Sequence, residues 1–302
     1  MTAPPARGMT ARMQRRQFTF SSGLAMFGAA GVGATSRAFA QSGSPKAEGK
    51  PGGKDAGKTG AVAARPEIYE LRAYRMRIGA QPKLVGDYLS ELYIPLATRL
   101  GAGPVGVFNL TFGPGMPTIY VLTPCASLAA YEALQAELAA ELPRSKLPGA
   151  AAFYNATAHD PAYLRSDNQL LVAFDSFRKL ELPATTAKRE PRIFELRVYE
   201  TPTDLALAKK TEMFGPKLGE LDIFRRDGLT PVLFAKILVG PQQPGLVYLL
   251  SFPDLAAREA AWKRFREDPA WQKLKTLPGY LDAEIMANVT DFIVTPTAYS
   301  QI

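Results

Sequence analysis

The chain carries one seven-residue phrase twice, and this repeat limits its possible folds more than any other feature of the sequence. Residues 68–74 read IYELRAY and residues 193–199 read IFELRVY, with five of the seven positions identical. Two further segments recur in the same order: Pro104–Pro114 matches Pro231–Pro241, and Thr118–Ala133 matches Leu246–Ala260. The sequence therefore predicts a tandem duplication, with a first domain at 66–182 and a second at 190–302.

Each copy shows the same succession of patterns. The repeated phrase is typical of a strand, and a helical stretch of about 20 residues follows it. Two short strands separated by a Gly/Pro turn come next. A second helix is predicted to start at Ser127 or Asp254, and in copy two it restarts at Asp268-Pro269. A last strand is predicted at 169–174 and at 284–294. The order βαββαβ is that of the ferredoxin-like unit, which leaves one sheet face bare, so two copies could cover each other's bare faces.

Glutamate and arginine interrupt the apolar phrase, and strand alternation separates the two kinds of side chain. Tyr69, Leu71 and Ala73 lie on one face of the strand, and Glu70 and Arg72 lie on the other. We expect the apolar face to meet each copy's own helices and the charged face to line the space between the two sheets. Alignment of the copies adds equivalent positions on later strands. The predicted lining is Glu70, Arg72, Tyr74, Asn109, Tyr120, Glu195, Arg197, Tyr199, Lys236 and Tyr248.

Two interpretations of this lining remain open. Buried charges have to be paired, so the set could be an ion-pair network that registers the two halves. Alternatively, it could hold an anionic or carbonyl-bearing small molecule among aromatic rings. A glutamate beside an arginine stays ionised, which suits a counter-ion better than a proton shuttle.

The net charge of +8 is concentrated at the start of the chain. Residues 1–65 hold ten basic and two acidic residues, and the rest holds 26 of each. A neutral body argues against a nucleic-acid partner. Arg15-Arg16, a short apolar stretch and Ala38-Phe39-Ala40 indicate a twin-arginine-type signal, cleaved after Ala40. We therefore predict export to the periplasm or beyond, with a disordered linker at 41–65 and no membrane span in the mature protein.

Cysteine and histidine are too scarce for several kinds of site. Cys125 is the only cysteine and His159 the only histidine. An internal disulfide is therefore excluded, as are histidine-rich zinc sites. A Ser-His-Asp triad would have to use His159, and no GxSxG motif supports one. We predict Cys125 to be a small residue at a helix entry, and we predict neither a metal nor a cofactor.

Three features resemble the NIPSNAP family: the YELRxY opening, the Gly-Pro turn between the second and third strands, and the helix bearing Trp262, Phe265 and Asp268–Trp271. Residues 163–182 are similar to the segment joining two such domains in tandem members. The resemblance covers 66–302, although copy one lacks the tryptophan pair. It implies an α+β fold in which the tandem ferredoxin-like repeats pack sheet to sheet as a dimeric α+β barrel within one chain. It brings no established catalytic residues.

Two classes of function follow from these observations. The first is an exported binding or interaction protein with a small-molecule pocket between its sheets. The alternative is a cofactor-independent enzyme, oxygenase-like or isomerase-like, acting on a small aromatic, carbonyl-bearing or anionic substrate. A haem protein would need an axial ligand, and His159 in a loop is a poor one. Because the duplication already supplies the two halves of a dimer, a monomer is the expected state, and a higher oligomer remains open.

Overall fold

The computed structural model describes residues 65–302, so the predicted signal and nearly all of the predicted linker lie outside the described residues. The strands are β1 (Ile68–Arg75), β2 (Gly106–Phe112), β3 (Thr118–Cys125), β4 (Arg165–Ala173), β5 (Ile193–Glu200), β6 (Thr230–Val239), β7 (Gly245–Phe252) and β8 (Asn288–Pro296). The helices are α1 (Gln81–Tyr88), α2 (Ile94–Arg99), α3 (Leu128–Glu141), α4 (Pro148–Tyr154), α5 (Ala184–Ala187), α6 (Asp204–Met213), α7 (Glu220–Arg226), α8 (Leu255–Glu267), α9 (Pro269–Leu274) and α10 (Asp282–Ile285).

The eight strands form one closed antiparallel barrel in the order β1-β3-β2-β8-β5-β7-β6-β4. We expected two separate sheets packed face to face, and this is wrong in one respect. The last strand of each repeat also pairs with the other repeat, β4 with β6 and β8 with β2. These pairs fill hydrogen-bonding edges that two separate sheets would have left open. The strands bearing the repeated phrase, β1 and β5, lie at opposite positions of the ring.

Helix starts follow the predicted capping residues. The Ser127 hydroxyl accepts a hydrogen bond from the Ala130 amide at the start of α3, and Asp254 does the same for Ala257 at the start of α8. Asp268 caps α9, with Pro269 at its first position. In the first repeat the long helical stretch is continuous, because a π-helical turn at Leu89–Tyr93 joins α1 to α2. These caps satisfy amide groups that have no partner within their own helix.

The two faces of the repeated phrase point the opposite way from our expectation. Tyr69, Leu71 and Ala73 lie in the core inside the barrel, together with the equivalent residues of β5. Tyr74 instead packs in a second core beneath α1–α4 of its own repeat. Since the interior of an eight-stranded barrel is filled mainly by packed side chains, the largely apolar set belongs there. The charged set lies under the helices, which supply its polar partners.

The strand register also corrects our alignment of the two tyrosines. Tyr120 is paired with Ala73 and therefore faces the barrel interior, whereas Tyr248 is paired with Arg197 and faces the helices. The structural equivalent of Tyr120 is Val247, which lies opposite Val198. A shift of one residue moves a strand side chain to the other face of the sheet, so the matching letters were misleading.

Two local differences and one agreement complete the comparison. Cys125 is buried at the end of β3 rather than at a helix entry. Residues 284–287 precede the last strand, and the first two of them belong to α10. His159 is exposed in an irregular segment, as predicted.

Candidate functional site

Glu70 is the centre of a buried polar network in the first repeat. It is 1% exposed, and its Oε1 accepts hydrogen bonds from Arg72 Nη2 at 2.5 Å and from Asn168 Nδ2 at 2.7 Å. The Tyr93 hydroxyl bonds Oε2 at 3.0 Å. Arg72 also donates to the Tyr74 hydroxyl at 3.1 Å. In this copy, the glutamate and arginine of the phrase pair along the strand.

Glu195, the equivalent residue of the second repeat, takes different partners. Arg258 on α8 forms a bidentate ion pair with it, with distances of 2.7 Å to Oε1 and 2.9 Å to Oε2. The Trp262 indole N–H donates to Oε2 at 2.6 Å. The nearest contact from Arg197 is 3.8 Å. The same Glu-x-Arg phrase is therefore used differently, because Arg258 occupies the place that Tyr131 holds in copy one.

The ten predicted lining residues do not meet in one pocket. Tyr120 alone faces the barrel interior. Asn109 is paired with Ile119 and is exposed, and Lys236 is paired with Leu246, so both point outward like the charged residues of the phrase. The charged residues of the phrase are therefore held by two separate networks, one in each repeat. The pocket inside the barrel is lined by other residues.

A pocket of about 340 Å³ opens into the barrel between β1 and β5. Its wall is made by pairs of equivalent positions, Leu71 with Leu196 and Ala73 with Val198. Its remaining lining residues are Arg75, Tyr120, Arg165, Asp167, Gln169, Pro241, Gln242 and Phe292. Because both repeats contribute matching residues, the pocket lies where the two halves of the duplication meet.

The rim of this pocket, defined by Arg75, Arg165 and Asp167, carries an excess of positive charge. Arg75 Nε lies 2.5 Å from Asp167 Oδ2, and Arg165 Nε lies 2.8 Å from Oδ1. These are the charged residues of the lining, so two guanidinium groups share one carboxylate. Tyr120 lies nearby, and burial raises the pKa of its hydroxyl, which keeps it protonated.

The rim residues escaped the sequence analysis, although one signal pointed to them. Arg75 continues the alternation Leu71, Ala73, Arg75 along β1, and so belongs to the interior face. Arg165 and Asp167 lie opposite Arg75 and Ala73 on β4, which places them on the same face. Continuing the apolar face of the phrase from Ala73 to the next position on that face would have identified Arg75.

Within residues 65–302, no cluster of histidine, cysteine or acidic side chains is arranged to hold a metal ion. In the same range, no helix is long and apolar enough to cross a bilayer.

Similar solved structures overlap the chain only loosely. A candidate monooxygenase from Lactobacillus acidophilus NCFM is 7% identical over 76% of this chain and 94% of its own, with a TM-score of 0.49. An uncharacterised NIPSNAP-like domain protein from Burkholderia xenovorans is 18% identical over 36% of this chain and 88% of its own, with a TM-score of 0.32. An anthrone oxidase-like protein is 12% identical over 77% and 92%, with a TM-score of 0.44.

A family model gives the firm assignment. No curated protein matches the chain. The NIPSNAP model, however, matches it twice, at residues 69–176 and 194–301. Each match begins inside the repeated phrase, and together they cover well over half of the sequence. The chain therefore belongs to the NIPSNAP family and carries two copies of its domain.

Proposed function

We propose that this protein binds a small amphipathic anion in the barrel pocket. The supporting observation is the pairing of an apolar wall, formed by Leu71, Ala73, Leu196 and Val198, with a rim on which two arginines share one aspartate. An apolar ligand body would rest between the repeats, and its acid group would lie at the rim. The volume of about 340 Å³ lies within the range of small-molecule sites, roughly 300–1,000 Å³.

Three polar residues of the pocket have distinct parts in this proposal. Arg75 is partly buried, so its charge is screened less than that of a fully exposed side chain. It would form a charge-assisted hydrogen bond with the ligand's acid group. The Tyr120 hydroxyl is bonded by no other group among residues 65–302 and is free to donate. Asp167 is held by both arginines as their counter-ion, which makes it a poor general base. For this reason, the binding function is favoured over the enzymatic alternative.

Binding can be tested with decanoate and its neutral analogue decanol, using calorimetry on the purified chain. We expect saturable binding of decanoate and at least about tenfold weaker binding of decanol, because the neutral head group gains no charge-assisted bond. Ala73→Phe fills the pocket and should abolish binding of both. Arg75→Met, at the open rim, should weaken decanoate alone. Arg99→Met is the control, since Arg99 pairs with Glu141 on the surface. Equal affinity of Arg75→Met and the parent for decanoate would contradict the proposal.

We also propose that residues 65–302 form a single-chain counterpart of a dimeric α+β barrel built from two ferredoxin-like units. The ring supports this, because it divides into β4-β1-β3-β2 and β8-β5-β7-β6, which are the same order in the two repeats. A monomer would then be the expected state in solution.

Export remains a proposal drawn from Arg15-Arg16 and from Ala38-Phe39-Ala40. N-terminal sequencing of protein recovered from the cell envelope of a twin-arginine-competent bacterial host should begin at Gln41. Replacing Arg15-Arg16 by lysines should leave the protein uncut in the cytoplasm. Recovery of that variant in processed form would contradict the twin-arginine route.

A further inference from the structure

A second pocket, of about 340 Å³, lies outside the barrel in the second repeat, between β5, β8 and helices α8 and α9. Its walls include Trp262, Trp271 and Arg197, and Arg258 and Arg266 flank it. The first repeat has no counterpart to the two tryptophans, because its equivalent of Trp262 is Gln135 and no tryptophan precedes Trp262 in the chain. The two repeats thus differ in the space under these helices.

The planar guanidinium group of Arg197 packs against aromatic rings in this pocket. Its guanidinium carbon lies 4.7 Å from the ring centre of Trp262, 5.4 Å from that of Tyr199 and 5.8 Å from that of Tyr248. The side chain is 15% exposed. Arginine stacks on aromatic faces in this manner while its edge stays available for planar, bidentate recognition of an anion.

The hydrogen-bonding edge of Arg197 is only partly used. Its Nε lies 2.6 Å from Asp291 Oδ1, but without the alignment of a hydrogen bond. Its Nη1 is 3.8 Å from Glu195, which is already bonded by Arg258 and Trp262. Arg72 in the first repeat, by contrast, donates to Glu70, Tyr74 and Gln135. Because Glu195 is bonded by Arg258, Arg197 is not hydrogen-bonded to the glutamate of its own strand.

Charged side chains of both signs surround the pocket. Arg197, Arg258 and Arg266 line it, against the carboxylates of Glu259 and Asp291. Behind it lies the buried Lys210, whose charge is matched by Glu220. Glu195, buried behind the lining, is paired with Arg258, so the charges around the pocket balance overall. Arg266 is exposed at the opening and supplies the positive charge there.

We propose that this pocket is a second ligand site, which takes a small planar carboxylate such as an aromatic acid. The carboxylate would bond the free Nη edge of Arg197, and the ring would pack against Trp271. Asp291, whose side chain is 43% exposed, stays on the Nε side as the counter-ion. The site is separate from the barrel pocket and does not depend on it.

The two tryptophans give this site its own optical reporter, since the chain contains only Trp262 and Trp271 and both line the pocket. Titration of the whole chain with benzoate should change the tryptophan fluorescence saturably, whereas benzamide should not. Arg197→Met should weaken benzoate binding at least about tenfold. Arg72→Met, the same change at the equivalent position of the first repeat, should leave the benzoate Kd unchanged within about twofold.

Circular dichroism shows which variants are folded. The variant Arg266→Gln changes an exposed residue and gives a second test that does not disturb the core. It should weaken benzoate severalfold and reduce the salt dependence of binding. Three results would overturn the proposal: no fluorescence response to benzoate up to about 10 mM, an equal response to benzamide, or equal benzoate affinity in the parent, Arg197→Met and Arg266→Gln. Retention of the benzoate response in Ala73→Phe would show that the barrel pocket is not its source, and loss of that response would overturn the assignment to this second pocket.

Discussion

Replacing Lys210 by methionine is expected to lower the free energy of unfolding by about 3–5 kcal/mol at neutral pH, the usual cost of removing one partner of a buried ion pair. Lys210 and Glu220 are each 2% exposed, and Lys210 Nζ donates to both carboxylate oxygens at 3.0 Å. Methionine would leave the Glu220 carboxylate without its cation, in a core formed by Met213, Phe214 and their neighbours. Thermal or urea unfolding of residues 65–302 measures the loss.

The effect of Lys210→Met should depend on pH in a defined direction. Burial raises the pKa of Glu220, and loss of Lys210 would raise it further. A folded-state pKa above the unfolded value means that the folded protein holds the extra proton, so stability falls as pH rises from about 4.3 through the raised pKa. The variant should therefore be closer to its parent at about pH 5 than at about pH 8. The double variant Lys210→Met/Glu220→Leu should recover much of the stability, and a double variant as unstable as the single one would contradict this explanation.

Arg72→Met is expected to cost about 2–4 kcal/mol, slightly less than a fully buried pair. It removes the cation from Glu70, although Asn168 and Tyr93 still bond that carboxylate. Arg197→Met should cost clearly less, because Glu195 keeps its bidentate pair with Arg258. Urea unfolding of both variants, beside the surface control Arg99→Met, compares the three changes directly. The surface pair should be worth at most about 1 kcal/mol.

The contrast between the two arginines is the informative result. If the phrase served one symmetric purpose, Arg72→Met and Arg197→Met would destabilise the chain equally. Arg258→Met should instead be the counterpart of Arg72→Met in the second repeat. Equal losses for Arg72→Met and Arg197→Met, with little loss for Arg258→Met, would show that the described pairing is wrong.

Local features of this fold could be predicted from the sequence because they depend on a few neighbouring residues. Three caps are formed by Ser127, Asp254 and Asp268. In each, one side-chain oxygen accepts a hydrogen bond from a backbone amide no more than three residues further along the chain. The duplication was visible for a similar reason, since the phrase on β1 and β5 is nearly unchanged. These predictions required no knowledge of what lies across the molecule.

The orientation of the strands could not be predicted in this way. Alternation separates Glu70 from Leu71, but which face lies inside depends on partners far along the chain, such as Arg258 and Trp262 for Glu195. Register failed for a related reason. The repeats are offset by 125 residues at β1 and β5 (193 − 68) but by 127 at β3 and β7, where Cys125 and Phe252 lie opposite equivalent residues (252 − 125). Aligning Tyr120 with Tyr248 requires an offset of 128, one residue more than the offset between these strands. The error assigns Tyr248, which faces the helices, to the interior face that Tyr120 occupies.

The pairing of β4 with β6 and of β2 with β8 has a consequence for how the two halves can diverge. In a barrel made from two identical subunits, every substitution occurs twice, so any change at the boundary must remain compatible with its own copy. Here the halves are held together by one backbone, and reclosure after a transient opening is an intramolecular event that tolerates weaker contacts between them. Each half is then free to acquire residues that its sister lacks, such as Arg258 and Trp262, without a matching change on the other side of the ring.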